Sequence, residues 1–185
     1  MSQKRSKITL IGVFFVFVMP VLVAKLALDN GWFNSASTNK GELLQPVRDL
    51  GAVFAQEAPK WRIVYFVPEQ CDSACENAIY SIRQVWVALG RENDRAQATV
   101  LVTHRSDPSM VKQLRQDNRF HMVNVASTNV HQVLEPNDTK AILLVDTLNN
   151  AMLRYPIFAD KQAAVQSSRN ILADVKKLLK LSRIG

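Results

Sequence analysis

From Ile8 to Ala24 the chain runs without a charge (ITLIGVFFVFVMPVLVA). A helix that is apolar on every side has no water-facing stripe and belongs in a protein core or a bilayer. Lys25 to Leu28 bring the segment to 21 residues, close to the roughly 20 a helix needs to cross the hydrocarbon layer. Lys25 is near enough to the end to snorkel into the headgroups, and Pro20 is better tolerated in a spanning helix than in a soluble one. A cleaved signal peptide is the alternative. It wants small residues at the first and third positions before the cut, yet cutting after Ala27 places Lys25 third and cutting after Ala24 places Leu22 there. The expectation is an uncleaved anchor over residues 8–28. Lys4, Arg5 and Lys7 before it put residues 1–7 in the cytoplasm and everything from Asp29 outside. A bacterial inner membrane with the C-terminal domain in the periplasm is the simplest setting, and there cysteines can oxidise to disulfides.

The chain of 185 residues is 48% hydrophobic and 21% charged, so the exported part can build one globular core. Its net charge of +7 suggests a nucleic-acid partner until it is divided by region. Residues 1–28 hold four Lys/Arg and no acid, and residues 161–185 hold six against one. The middle therefore carries 13 basic and 15 acidic residues, which offers no continuous stripe for a phosphate backbone. Nucleic acid is thus not an expected partner.

Residues 29–60 contain Gly31, Gly41, Gly51, Pro46 and Pro59 among scattered apolar residues, and read as a linker with an irregular or short-stranded lead-in to the domain. From Trp61 the pattern sharpens. WRIVYFV (Trp61 to Val67) is a β-branched and aromatic run of strand length closed by Pro68. Cys71 to Leu89 has apolar residues at helical spacing ending at Gly90. ATVLVT (Ala98 to Thr103) is a second strand, buried on both faces. Asp107 caps a helix with Pro108 at its first position. HMVNV (His121 to Val125) is a short strand, AILLV (Ala141 to Val145) pairs with Ala151 to Pro156 as a hairpin, and Asp160 to Leu181 is a final helix. This order predicts an α/β fold, a thioredoxin-like domain over residues 61–185 preceded by one N-terminal transmembrane helix.

Cys71 and Cys75 are the whole sulfhydryl inventory. They stand where the first strand gives way to a helix, at the sheet edge where sites collect in open α/β folds. A helix N-terminus stabilises a thiolate, and a spacing of one turn puts the pair within disulfide reach. The pair can cycle between dithiol and disulfide, hold Cu(I) between two thiolates, or form a static local bridge. His104, after the second strand, reaches the same sheet edge and is a candidate nitrogen ligand beside Cys71 and Cys75, with a solvated loop histidine as the alternative. His121 reads as a capping or surface residue, and His131 lies in an unreadable stretch. The sequence shows no Ser-His-Asp order, Gly-rich phosphate loop or HExxH helix. Any enzyme activity would be thiol-disulfide oxidoreduction by Cys71 and Cys75.

With strand WRIVYFV, loop PEQ and CDSAC opening a helix behind a single anchor, the chain resembles the SCO/SenC family. Members are membrane-anchored thioredoxin-fold proteins with a CxxxC motif that bind copper and assist cytochrome c oxidase assembly. More specifically, the chain is similar to small divergent membrane proteins encoded beside oxidase genes in proteobacteria. The resemblance covers roughly Asn39 to Lys180 and implies copper at Cys71 and Cys75 and an oxidase subunit or assembly factor as partner. The pattern departs in two places. Asp72 and Glu76 stand where family members have prolines near the cysteines, and the family's copper-binding histidine falls at Asp138. Thioredoxin enzymes, by contrast, use CxxC and a cis-proline just before the strand that here follows Thr139 and Lys140.

Overall fold

A computed structural model describes residues 2–29, 39–126 and 132–182, with side chains in the first of these from residue 12 onward, Leu28 excepted. Two units divide the chain, Met1–Thr38 and Asn39–Gly185. In the first, helix α1 (Ser2–Asp29) runs through Pro20 without interruption. Val13, Phe14, Phe15, Val16, Phe17 and Val21 are each more than half exposed on it. Among the described residues no helix is long and apolar enough to cross a membrane. The uncharged run begins at Ile8, among side chains outside that description.

The second unit is built on one six-stranded sheet. Its elements are β1 (Glu42–Asp49), β2 (Trp61–Phe66), α2 (Ser73–Ala88), a 3₁₀ turn (Gly90–Asp94), β3 (Ala96–Val102), α3 (Pro108–Arg115), β4 (Phe120–Asn124), β5 (Ala141–Val145), β6 (Asn150–Pro156) and α4 (Lys161–Leu181). The strand order is β1-β6-β5-β2-β3-β4. β2, β3 and β4 are parallel, whereas β5 runs antiparallel to β2, β6 to β5 and β1 to β6. The parallel pairs need helical crossovers of one hand, which places α2 and α3 on the same face. That face holds the main core, where Ile63, Tyr65 and Val100 of the sheet meet Ile82 and Val85 of α2, Leu114 of α3 and Ile171 and Val175 of α4.

No long helix covers the other face among the described residues; its cluster comprises Leu44, Leu50, Phe54, Val64, Leu101, Leu134, Leu143 and Val145. The segment before β2, which looked irregular in sequence, is pinned there by Arg62. Strand alternation turns Arg62 away from the helices, fully buried, with its guanidinium 4.6 Å over the Phe54 ring. It donates to Asn149 Oδ1 at 2.9 Å, to the Lys60 carbonyl at 3.2 Å and to the Ala58 carbonyl. Burial lowers its pKa, and Glu57 nearby works the other way. On the helix side Asp174 of α4 is buried and accepts hydrogen bonds from the Lys40 and Gly41 amides and the Tyr155 hydroxyl, at 2.8 to 2.9 Å. Gly41 is there because a Cβ would come within 2.6 Å of the Tyr155 ring.

Candidate redox site

β2 delivers the chain to the sheet edge, where Val67 is still buried, and α2 carries it back. Asp72 caps α2, its carboxylate accepting from the Cys75 amide at 2.9 Å. Asparagine, aspartate and serine compete well for such amides, so the helix begins at Ser73. Cys71, expected to open the helix, instead lies one residue ahead of the cap, and Cys75 sits in the first turn. The two are joined as a disulfide with Cα atoms 5.2 Å apart. Their environments differ. Cys75 is 1% exposed within the main core, while Cys71 is half-buried at its margin.

The loop after β3 holds the loop of Cys71 in place. The Ser106 hydroxyl donates to the Val67 carbonyl at 2.7 Å, and the Asp107 amide donates to the Pro68 carbonyl at 2.8 Å. Asp107 Oδ2 accepts from the Cys71 amide at 3.1 Å, while Oδ1 caps α3 through the Ser109 and Met110 amides at 2.9 and 3.1 Å. In sequence Asp107 shows itself only as a cap. Its second role follows from the parallel pairing of β2 with β3, which sets the two post-strand loops side by side.

These donors, led by the Ser109 side chain and the Cys71 amide, hold the Asp107 pKa down at about 2 against 3.8. A depressed carboxylate stabilises the fold fully above its unfolded pKa and loses that contribution as pH falls through the folded one. Melting temperatures taken from about pH 5 down to about pH 2 should therefore fall more steeply in the wild type than in Asp107→Asn. Parallel slopes would remove Asp107 from the acid response.

His104, expected to reach the sheet edge of the cysteines, lies on the loop that also carries Asp107 to the Cys71 amide. His104 is exposed in the loop after β3, and among the described residues no group of three or more His, Cys, Asp or Glu side chains could hold a metal ion. His121 lies on β4 with Nε2 2.7 Å from Glu57 Oε2, and His131 falls outside the described residues. Asp138 has other employment. Its side chain is fully buried and accepts from Arg154 Nη1 at 2.9 Å, Arg48 Nε at 3.2 Å and the Glu135 amide at 3.1 Å. Arg154 also reaches Glu42, and Arg48 reaches Glu135. A hard carboxylate saturated by two guanidinium groups is no donor for a soft ion. The described residues thus supply a dithiol/disulfide pair and, among them, no third donor for a copper centre.

A mixed sheet with three parallel strands, crossover helices on one face and a cysteine pair at the start of the first of those helices is a thioredoxin-like domain. Residues 61–182 match the family model described as "Transmembrane-like, thioredoxin-like, C-terminal domain". The match takes in well over half of the chain, which belongs to that family. No curated protein matches the chain in sequence. Among solved structures, apo Sco1 from Thermus thermophilus is similar at 15% identity and a TM-score of 0.53, covering 78% of this chain and 99% of that one. BsSco, described as having a disulfide switch and as a member of the Sco family of cytochrome c oxidase assembly proteins, is similar at 12% identity and a TM-score of 0.46, covering 78% and 96%. Bradyrhizobium japonicum ScoI with copper bound follows at 16% identity and a TM-score of 0.42, covering 61% and 86%. At 15% identity the likeness to the Thermus thermophilus protein is one of fold, and that fold agrees with the SCO/SenC resemblance of the sequence.

Proposed function

We propose that the chain is a membrane-anchored, periplasmic thioredoxin-like protein that assists cytochrome c oxidase assembly through thiol-disulfide exchange at Cys71 and Cys75. The observation that carries it is the asymmetric disulfide, with Cys71 at the surface margin and Cys75 in the core. In the reduced protein the Cys71 thiolate attacks a partner disulfide, forming a mixed disulfide and releasing one partner thiolate, which takes up a proton. The Cys75 thiol then loses its proton and attacks the Cys71 sulfur, closing the internal bridge and releasing the second partner thiol. Two electrons pass to the partner, and a dithiol donor must return them. Sco proteins are named as oxidase assembly factors, which supports an oxidase subunit or assembly factor as that partner.

The anchor in this reading is α1, supported by the uncharged run from Ile8, the flanking Lys4, Arg5 and Lys7, and its 28 helical residues. Residues 1–7 would remain cytoplasmic and the unit from Asn39 would lie in the periplasm. Copper has a narrower footing. The reduced pair supplies two sulfurs of the kind Cu(I) takes, and no third donor joins them among the described residues.

Deleting the gene should lower oxidase activity in membranes, and the wild-type chain should restore it. Cys71→Ser and Cys75→Ser, expressed to the same level, should not. Full restoration by a variant lacking both cysteines would leave an interaction protein with a structural disulfide as the better account.

A further inference from the structure

Between residues 39 and 160 six arginines have a carboxylate partner, while Lys60, Arg91, Lys112, Arg115 and Lys140 stand in no ion pair among the described residues. Arg48, Arg83, Arg95, Arg105, Arg119 and Arg154 each lie within 3.6 Å of a carboxylate oxygen. Helix α4 gathers several unpaired cations on one element. Lys161, Arg169, Lys176 and Lys180 are exposed on it, and none is in an ion pair among the described residues. At 100° per residue, Arg169, Lys176 and Lys180 fall within about 40° of one another around the axis, with Lys161 at the N-terminal end. The helix has one carboxylate, Asp174, which faces inward and is taken up by Lys40, Gly41 and Tyr155. Between the cations the outer face shows Gln162, Gln166 and Ala173. The result is a cationic strip about 16 Å long from Arg169 to Lys180, extended off its line by Lys161, with no compensating negative charge of its own.

A protein partner is poorly served by such a strip, because interface cores are depleted in lysine and rich in aromatic anchors. A flat anionic surface is well served, since it engages cations along the strip's whole length and needs no apolar pocket. We propose that the outer face of α4 docks the domain onto anionic phospholipid headgroups. This rests on the membrane anchoring proposed above, which keeps the domain within reach of the bilayer. Docking has a consequence for the disulfide. Asn77, in the first turns of α2, donates to the Phe158 and Ala159 carbonyls at 3.0 and 2.8 Å. The start of α4 is thereby tied beside the start of α2, so a docked α4 holds Cys71 near the headgroups.

The test uses the full chain with Cys71 and Cys75 oxidised, a fluorophore on Gln166→Cys, and bilayers of phosphatidylcholine alone or with one-third phosphatidylglycerol, both containing brominated lipid. Quenching should be at least about fivefold stronger with phosphatidylglycerol and should collapse at high salt. It should also collapse in K161Q/R169Q/K176Q/K180Q, persist in K161R/K176R/K180R, and stay weak from Asn137→Cys, a position of the segment that covers the opposite face of the sheet. Equal quenching in both bilayers, or no effect of the glutamine variant, overturns the proposal. So does shielding of the label by polyglutamate but not by lipid, which would point to an acidic protein instead. Alkaline extraction reads the anchor separately. If it releases the chain, the anchor reading fails; flotation with phosphatidylglycerol vesicles but not phosphatidylcholine vesicles then still supports the face, and flotation with neither overturns it.

Discussion

Cys75→Ser is expected to accumulate mixed disulfides with its partner in cells, and Cys71→Ser is expected to accumulate none. Thiol-disulfide exchange requires an attacking sulfur that another chain can reach. Cys71 meets this requirement, half-buried ahead of the α2 cap, whereas Cys75 is 1% exposed and packed within the main core. When Cys71 has attacked a partner disulfide, the Cys75 sulfur is the group placed to resolve the product, since it already lies within bonding distance in the oxidised protein. Replacing Cys75 removes that second step and leaves the covalent intermediate standing. Replacing Cys71 leaves one sulfur in the core, and exchange should fall by at least about a hundredfold because access and not thiolate fraction limits it. Trapping followed by non-reducing electrophoresis and mass spectrometry measures both outcomes. Comparable adducts from the two variants would show that the core thiol is accessible and that the assignment of roles is wrong.

The parts legible from sequence are those where the physics is local. WRIVYFV and AILLV read as strands because both central strands are buried on two faces and can be apolar throughout. Asp107-Pro108 and Asp160 mark their helices because capping is decided by neighbours within three residues. β1 is obscure for the opposite reason: ELLQPVRD is an edge strand, mostly in solvent and carrying a proline, and β6 alone holds it in the sheet. The helix start is displaced two residues beyond Cys71 because Asp72 caps in its place. The cysteine pair itself is legible, its support is not. Asp107 lies 36 residues from Cys71 and reaches it only through the pairing of β2 with β3. Arg62 in the second core and Asp174 beneath Tyr155 are equally silent, because nothing near a charged residue in the sequence tells that distant groups will satisfy it in the interior.

Asp138 is the sharpest case, and Asp138→Ala should rank among the most destabilising single substitutions in the domain. Its carboxylate has no exposed surface and bridges Arg48 and Arg154, whose own side chains are 15% and 20% exposed. Removing one member of a buried ion pair costs about 3–5 kcal/mol where the other charge is left uncompensated, and here Arg48 keeps Glu135 and Arg154 keeps Glu42. The partial exposure of both arginines argues for the lower end, about 3 kcal/mol, against a total stability of roughly 5–15 kcal/mol. The melting temperature should drop by on the order of 10 °C. Asp138→His tests the resemblance directly, because it restores the residue expected of a copper site. An imidazole set between two guanidinium groups gains their repulsion and loses their bonds, so this variant should also melt early and should bind Cu(I) no better than the wild type. Asp138→Leu combined with Arg48→Met and Arg154→Met should recover part of the loss, since removing all three inner charges is far less costly than removing one and Glu42 and Glu135 stay solvated at 65% and 59% exposure. Thermal melts of the four proteins, with a Cu(I) competition titration of the reduced wild type and Asp138→His, decide the matter. A stable Asp138→His with tighter copper binding would mean that the arginines yield readily, and that the lost histidine alone separates this domain from a three-ligand copper centre.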